Sequence, residues 1–310
     1  MSGRAKAELA LVVITLVWGA TFSTVKNALA DASPILFVAV RFSLASAALL
    51  LLYHRKLDRR TLLPGIAVGS LLFAGYAFQT VGLRFTTPSK AAFITGFTIP
   101  LVPLISSCVY KTRPRPAELA GVLAATVGMA LMTLQDVHLQ VSQMGLNPGD
   151  GLTVLCAVAF AGHIVALGYF SKWATHRRLG FEPLAVWQIL TAAAWGLLSF
   201  RWLDTPYWHM SNGLWIALAI TGLLATALAF TVQTWAQLHT TPIRTALIFA
   251  LEPVFAWAFS WLLTGEVLSA RASLGAVLIL AGILLVEMKR SETGQHPSIH
   301  ATSGVSTPEV

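Results

Sequence analysis

The chain is poor in charge. Asp, Glu, Lys and Arg together make up 11% of its 310 residues, less than half the share in an ordinary soluble domain. Acids are the scarcer kind, 13 Asp and Glu against 21 Lys and Arg, for a formal net charge of +8. With 56% hydrophobic residues and a mean hydropathy of +0.71, so few charges cannot cover the surface of a water-soluble protein of this length. A soluble enzyme, a disordered chain and a nucleic-acid binder are thereby excluded. The basic excess does not mark nucleic acid, because Lys and Arg fall in short clusters between long apolar runs, as in a polytopic membrane protein. Cysteine is scarce too. Cys108 and Cys156 lie inside apolar runs, which leaves no disulfide framework and no metal-ligand spacing. Both are expected as small core residues. Catalytic signatures are missing: there is no HExxH, P-loop, GxSxG or Cys cluster.

What is present is a series of ten apolar runs, each long enough to cross a bilayer as a helix. They fall at 9–28, 34–53, 62–83, 89–109, 118–134, 150–170, 183–200, 213–235, 242–263 and 270–287. Pro34, Pro88, Pro183 and Pro242 open spans, where a missing N–H does no harm. Gly19, Gly96, Pro100, Pro103 and Pro253 fall inside spans and predict close helix approach and local breaks. The first run imitates a secretion signal, ending in Ala28-Leu29-Ala30, but its length and its place in the repeat described below predict that it is retained. With the N-terminus in the cytoplasm, 15 of the 21 basic residues fall on the cytoplasmic side and five on the other, leaving Arg41 in mid-span. That bias predicts both termini inside. The tail 288–310, rich in Ser, Thr and Pro, is expected to be disordered.

The chain also repeats itself. Gln79-Thr80 is followed by Thr86-Thr87-Pro88, and Gln233-Thr234 by Thr240-Thr241-Pro242, at a constant offset of 154. The same offset sets Lys90 on Arg244, Gly121 on Gly275 and Gly128 on Gly282. The halves are therefore 9–134 and 150–287, joined by an extracytoplasmic loop at 135–149. Five spans is an odd number, so the halves run in opposite senses. The expected fold class is an all-α polytopic membrane protein of ten helices in two inverted five-helix repeats. Secondary transporters are built this way, with substrate bound near the midplane between the halves.

Several local strings carry a resemblance. They are Leu16-Val17-Trp18-Gly19-Ala20-Thr21-Phe22 in span one, Arg41-Phe42 in span two, and Leu251-Glu252-Pro253-Val254-Phe255 followed by Gly265-Glu266 in span nine. Gly275 and Leu280-Ala281-Gly282 follow in span ten. Their order and spacing over residues 9–287 resemble the drug/metabolite transporter superfamily, EamA type. The resemblance implies a small-metabolite permease, often an exporter. The first half departs from the pattern, with Lys111-Thr112-Arg113 where Gly-Glu would be usual.

Polar residues inside spans are the candidate functional groups, since each is costly unless paired or solvated. Glu252 lies ten residues into span nine, about 15 Å deep at 1.5 Å per residue. It reads either as a proton-coupling carboxylate or as a staple holding the break at Pro253. Arg41 reads as a partner for an anionic substrate group or for Glu252, or as a side chain that snorkels outward. His163 reads as a proton relay or as a neutral core histidine. Gln79 and Gln233 occupy matching stations and read as substrate-binding amides or as interhelical hydrogen-bonding groups. Trp18, Thr21 and Phe22 share one face of span one and, with Phe97 and Trp187, read as pocket wall or as plain packing. Lys26 reads as an interface anchor.

These residues predict a secondary transporter that moves a small organic metabolite or drug by alternating access. Expected partners are the substrate, the lipid bilayer, protons if Glu252 titrates, and a second copy of the chain; no cofactor and no metal are expected. A phosphate or nucleotide-sugar exchanger would need several buried basic residues, and only Arg41 is clearly one. A membrane enzyme would need a catalytic cluster at one depth, and a channel a filter or a ring of acids.

Overall fold

The computed structural model describes residues 2–82, 84–85, 88–133, 148–264 and 269–293. The first half consists of α1 (Gly3–Ala28), α2 (Pro34–Tyr53), α3 (Leu62–Gly82), α4 (Pro88–Thr95), α5 (Thr98–Tyr110) and α6 (Pro116–Thr133). The second half begins with α7 (Pro148–His176), α8 (Glu182–Leu203), α9 (Asn212–Ala219) and α10 (Ala229–Ala236). It ends with α11 (Pro242–Phe249), α12 (Glu252–Thr264) and α13 (Ala270–Thr293). A π-helical segment, Ile220–Leu228, joins α9 to α10 in a single span. Among the described residues from Pro34 onward, nine segments of 18–29 residues are long and apolar enough to cross a membrane, and α1, with 26 residues, is the tenth. Helix is the form such runs must take, because inside a bilayer every backbone N–H and C=O has to be satisfied within the segment. The chain is thus a multi-pass membrane protein of two inverted five-helix repeats.

The repeat is visible in the breaks. The fourth span is interrupted at Gly96–Phe97, between α4 and α5, and the ninth at Ala250–Leu251, between α11 and α12. It is visible again where α6 packs on α13. A Cβ at Gly121 would stand 2.7 Å from the carbonyl oxygen of Gly282, and one at Gly128 would stand 2.5 Å from that of Gly275. Gly121 matches Gly275 and Gly128 matches Gly282 in sequence, so the two contacts exchange under the pseudo-two-fold. Only glycine lets the helices approach this closely.

Arg4 reaches Glu287 at 3.3 Å, so both ends of the helical chain lie on one face, called here the terminal face. On the opposite face the α1–α2 connection is stitched to the α8–α9 connection. The Ser33 N–H donates to Tyr207 O at 3.0 Å, the His209 N–H to Asp31 O at 2.7 Å, and the Tyr207 hydroxyl to Leu29 O at 2.6 Å. Asp204 accepts from the Ile35 N–H at 3.2 Å, capping α2, and pairs with Arg84. Apolar clusters fill the interior, one among α2, α3, α8 and α10 around Phe42, Leu72 and Ile189. Another joins α5, α6, α7, α11 and α13 around Val102, Ala125, Ala161 and Ile279.

Two expectations change. Cys108 is exposed on α5, whereas Cys156 is buried as expected; an apolar environment at Cys108 is the bilayer rather than the core. The last helix runs on to Thr293 rather than ending near 287, because Glu287 is engaged with Arg4 and Arg244. The expected loop at 135–149, apart from its last two residues, and the tail from 294 lie outside the described residues, as do Gly265-Glu266 and the Phe22 and Lys26 side chains.

Candidate functional site

The ladder of span eight changes at mid-depth. Within the π segment the Thr226 hydroxyl donates to Thr221 O, five residues back, at 2.8 Å. The carbonyl of Ala225 is turned to accept from outside the helix: Trp18 Nε1–H donates to it at 2.9 Å and Arg41 Nη2–H at 3.2 Å. Such irregular turns recur at functional sites. Arg41 also donates from Nε to Thr226 Oγ1 at 2.6 Å and from Nη2 to the Tyr76 hydroxyl at 3.4 Å, with its guanidinium 5.1 Å from the Tyr76 ring centroid. The side chain is 5% exposed, which excludes snorkelling. Among the described residues its hydrogen-bond partners are neutral oxygens alone.

Glu252 is the first residue of α12, just past the break, where the free N–H groups of a helix start favour a carboxylate. Beside it α1 crosses in near-backbone contact, since a Cβ at Gly19 would stand 3.1 Å from Glu252 O and 2.8 Å from Phe255 Cβ. Glu252 is half-buried. Glu252 and Arg41 form no ion pair. Gly19, which packs on Glu252, adjoins Trp18 in sequence, and Trp18 shares the Ala225 carbonyl with Arg41.

A second polar chain adjoins this group through Phe230, whose ring meets Trp18 at 5.6 Å and His163 at 5.7 Å. His163 Nε2–H donates to Gln188 Oε1 at 3.1 Å, Gln188 Nε2–H to Thr234 Oγ1 at 2.9 Å, and the Thr234 hydroxyl to Phe230 O at 2.6 Å. His163 and Gln188 are both buried.

The structure therefore brings together Trp18, Arg41 and Glu252, with Thr21 one turn along α1 and back-bonded to Val17 O. His163 is the near neighbour. The matched glutamines are separate. Gln79 lies three residues from the end of α3 toward the opposite face, and Gln233 three residues from the end of α10 toward the terminal face. Inversion places them at mirrored depths rather than side by side. Gln79 is half-buried. Gln233 is 1% exposed, and neither its amide oxygen nor its nitrogen has a hydrogen-bond partner. Phe97 is largely exposed at the break of the fourth span, stacked edge-on to Phe93. Trp187 lies toward the terminal face, its indole N–H donating to Asp58 O at 3.2 Å. Tyr76, Thr226 and Gln188 were missed, although each is a polar residue within an apolar run, the same signal that singled out Gln79.

An inverted-repeat membrane protein with a broken helix and a π segment near Arg41 and Glu252 has the architecture of a transporter. The EamA-like transporter family matches residues 5–134 and 148–288, and the chain belongs to that family. An "Uncharacterized transporter" of Archaeoglobus fulgidus is 34% identical over 286 residues, covering 92% of this chain and 87% of that one. A "Probable amino-acid metabolite efflux pump" of Salmonella typhimurium is 28% identical and covers 89% and 93%. A solved crystal structure shares the fold with a TM-score of 0.77 at 19% identity, covering 94% of this chain and 99% of that one.

Proposed function

We propose that this transporter exports small amphoteric organic metabolites, amino-acid derivatives among them, across the cell membrane by alternating access, with both termini in the cytoplasm. The observation that carries the reading is the all-neutral shell of Arg41. A guanidinium buried without an anion is poorly compensated, and a substrate carboxylate would supply the missing charge by charge-assisted hydrogen bonds. Glu252, packed on Gly19 beside Trp18, would meet a substrate ammonium group or carry a proton in exchange for it. The relative named as an amino-acid metabolite efflux pump supports the substrate class, and the bias of Lys and Arg toward the terminal face supports the orientation.

The test uses the full chain reconstituted in liposomes with an imposed pH gradient. Labelled neutral amino-acid derivatives should be moved, and their methyl esters, which lack the carboxylate, should not. Equal transport of acid and ester would refute recognition through Arg41. Glu252→Gln should fold and exchange substrate yet lose accumulation driven by the pH gradient. If that variant concentrates substrate as the parent does, proton coupling through Glu252 is wrong and the residue is a staple for the break.

A further inference from the structure

At the terminal face four charged residues from three helices converge. Glu8 of α1 accepts from Arg4 Nε at 2.6 Å, from Arg244 Nη1 at 3.1 Å and from the Thr240 hydroxyl at 3.1 Å. Glu287 of α13 accepts from Arg4 at 3.3 Å and also pairs with Arg244, while Arg244 donates further to Val286 O at 3.4 Å. Arg244 is the third residue of α11 and only 5% exposed. Directly beneath lies an apolar layer formed by Ala7, Leu11 and Ile14 of α1, Ala229 and Ala236 of α10, and Ile248 of α11. Gln233 shares the face of α10 that carries Ala229 and Ala236, by helical spacing, and it is the buried amide without partners.

We propose that these residues are the terminal-face gate of the transport cycle: Arg4, Glu8, Arg244 and Glu287 are its lock, and the α1–α10–α11 layer is its plug. In this conformation the gate is shut. It opens when the first turns of α1 leave α11 and α13, which wets the plug and exposes the Gln233 amide to water or substrate. Three observations agree. The lock joins helices of both repeats, so it must break if the halves rock against each other. The Gln233 amide is buried with no hydrogen-bond partner among the described residues, a costly state that opening would relieve. Along the seam of α1 with the π segment and α10 runs an apolar groove of about 340 Å³ lined by Leu9, Val13, Ile14 and Val17 with Leu224, Leu228 and Val232, so this side of α1 is loosely packed.

The inverted repeat extends the assignment. An offset of 142 that sets Trp18 on Phe160 and Thr21 on His163 also sets Glu8 on Asp150, and the offset of 154 sets Arg244 on Lys90. Asp150 is the third residue of α7 and Lys90 the third of α4, stations at the opposite face. Asp150 is thereby the counterpart of Glu8 for the other half of the cycle.

The gate rests on the alternating-access reading, and its test separates the two. In the full chain, with Cys108 and Cys156 replaced by Ala and transport confirmed, Ala236→Cys is the reporter. A membrane-impermeant maleimide is added from the terminal face. The reporter should be nearly unreactive in the parent and label at least tenfold faster with Glu8→Gln, which keeps the side chain's shape but removes its charge. Asp150→Asn should not raise the rate. As a second measurement, Glu8→Cys and Arg244→Cys joined by a short reducible bis-thiosulfonate crosslinker should stop transport, and reductant should restore it. A reporter already reactive in the parent, equal labelling with Glu8→Gln, a similar rise with Asp150→Asn, or full transport by the crosslinked protein would each overturn the gate. Absence of transport by the parent would instead overturn the transporter reading on which the gate rests.

Discussion

Replacing Arg41 by Met separates the structural from the functional role of the buried guanidinium. The change deletes a 2.6 Å bond to Thr226 Oγ1, a 3.2 Å bond to Ala225 O and a long contact to Tyr76. It strands neither of the first two acceptors, because Ala225 O keeps the Trp18 indole and Thr226 keeps its bond to Thr221 O. The loss is therefore about 1.5–3 kcal/mol for each of the two bonds to the charged group. Against it stands relief from burying a cation with no anion beside it, a desolvation cost of several kcal/mol. The two nearly cancel, and Arg41→Met should unfold within about 2 kcal/mol of the parent. Transport should behave differently. A substrate carboxylate that loses its buried partner forfeits about 3–5 kcal/mol, or about two to three and a half decades in kcat/KM at 1.4 kcal/mol per decade. Thermal unfolding in detergent and initial rates in liposomes measure the two quantities on one preparation. Transport within threefold of the parent would refute anion recognition by Arg41. A stability loss above about 4 kcal/mol would show instead that Arg41 is the brace of the π segment.

Other substitutions test the packing and the buried amide. Gly128→Ala should destabilise by about 1–2 kcal/mol, since its Cβ meets the backbone of Gly275 and Ile279 at 2.5–3.0 Å and overpacking outweighs the gain in helix propensity. Gly151→Ala meets nothing within 4 Å and should stabilise by about 0.5–1 kcal/mol; thermal melts showing the same sign for both would contradict the glycine contact. Gln233→Leu removes an unsatisfied buried amide and should raise stability by about 1 kcal/mol while slowing transport. Unchanged transport would leave the amide without a role in the cycle.

The π segment has consequences for how the halves differ. Span three, its repeat counterpart, is an unbroken α-helix from Leu62 to Gly82, so the carbonyl grip of Trp18 and Arg41 belongs to one half alone. The candidate site is accordingly asymmetric, with Arg41 on α2 and Glu252 on α12, whereas the helix frame obeys the inverted symmetry.

The sequence by itself determined the number of spans, their rough limits, the inverted duplication and the family. Those features rest on long apolar runs and on identities at fixed offsets, and a bilayer leaves such runs no alternative to helix. It also marked Trp18, Arg41 and Glu252, because a charge or an indole N–H in an apolar run stands out whatever surrounds it. Only the tertiary structure decided which marked residues share a site. Phe97, Trp187 and the paired glutamines carried the same signal and lie elsewhere, since the crossing of helices, not position along them, sets neighbours. The π register of span eight was illegible for the same reason: it depends on whether α1 and α2 supply donors for the freed carbonyl of Ala225. Glu8, Arg244 and Glu287 read in the sequence as ordinary charges near span ends, and they became one cluster only when α1, α11 and α13 met, because an ion pair between residues far apart in the chain is set by the fold that brings them within reach.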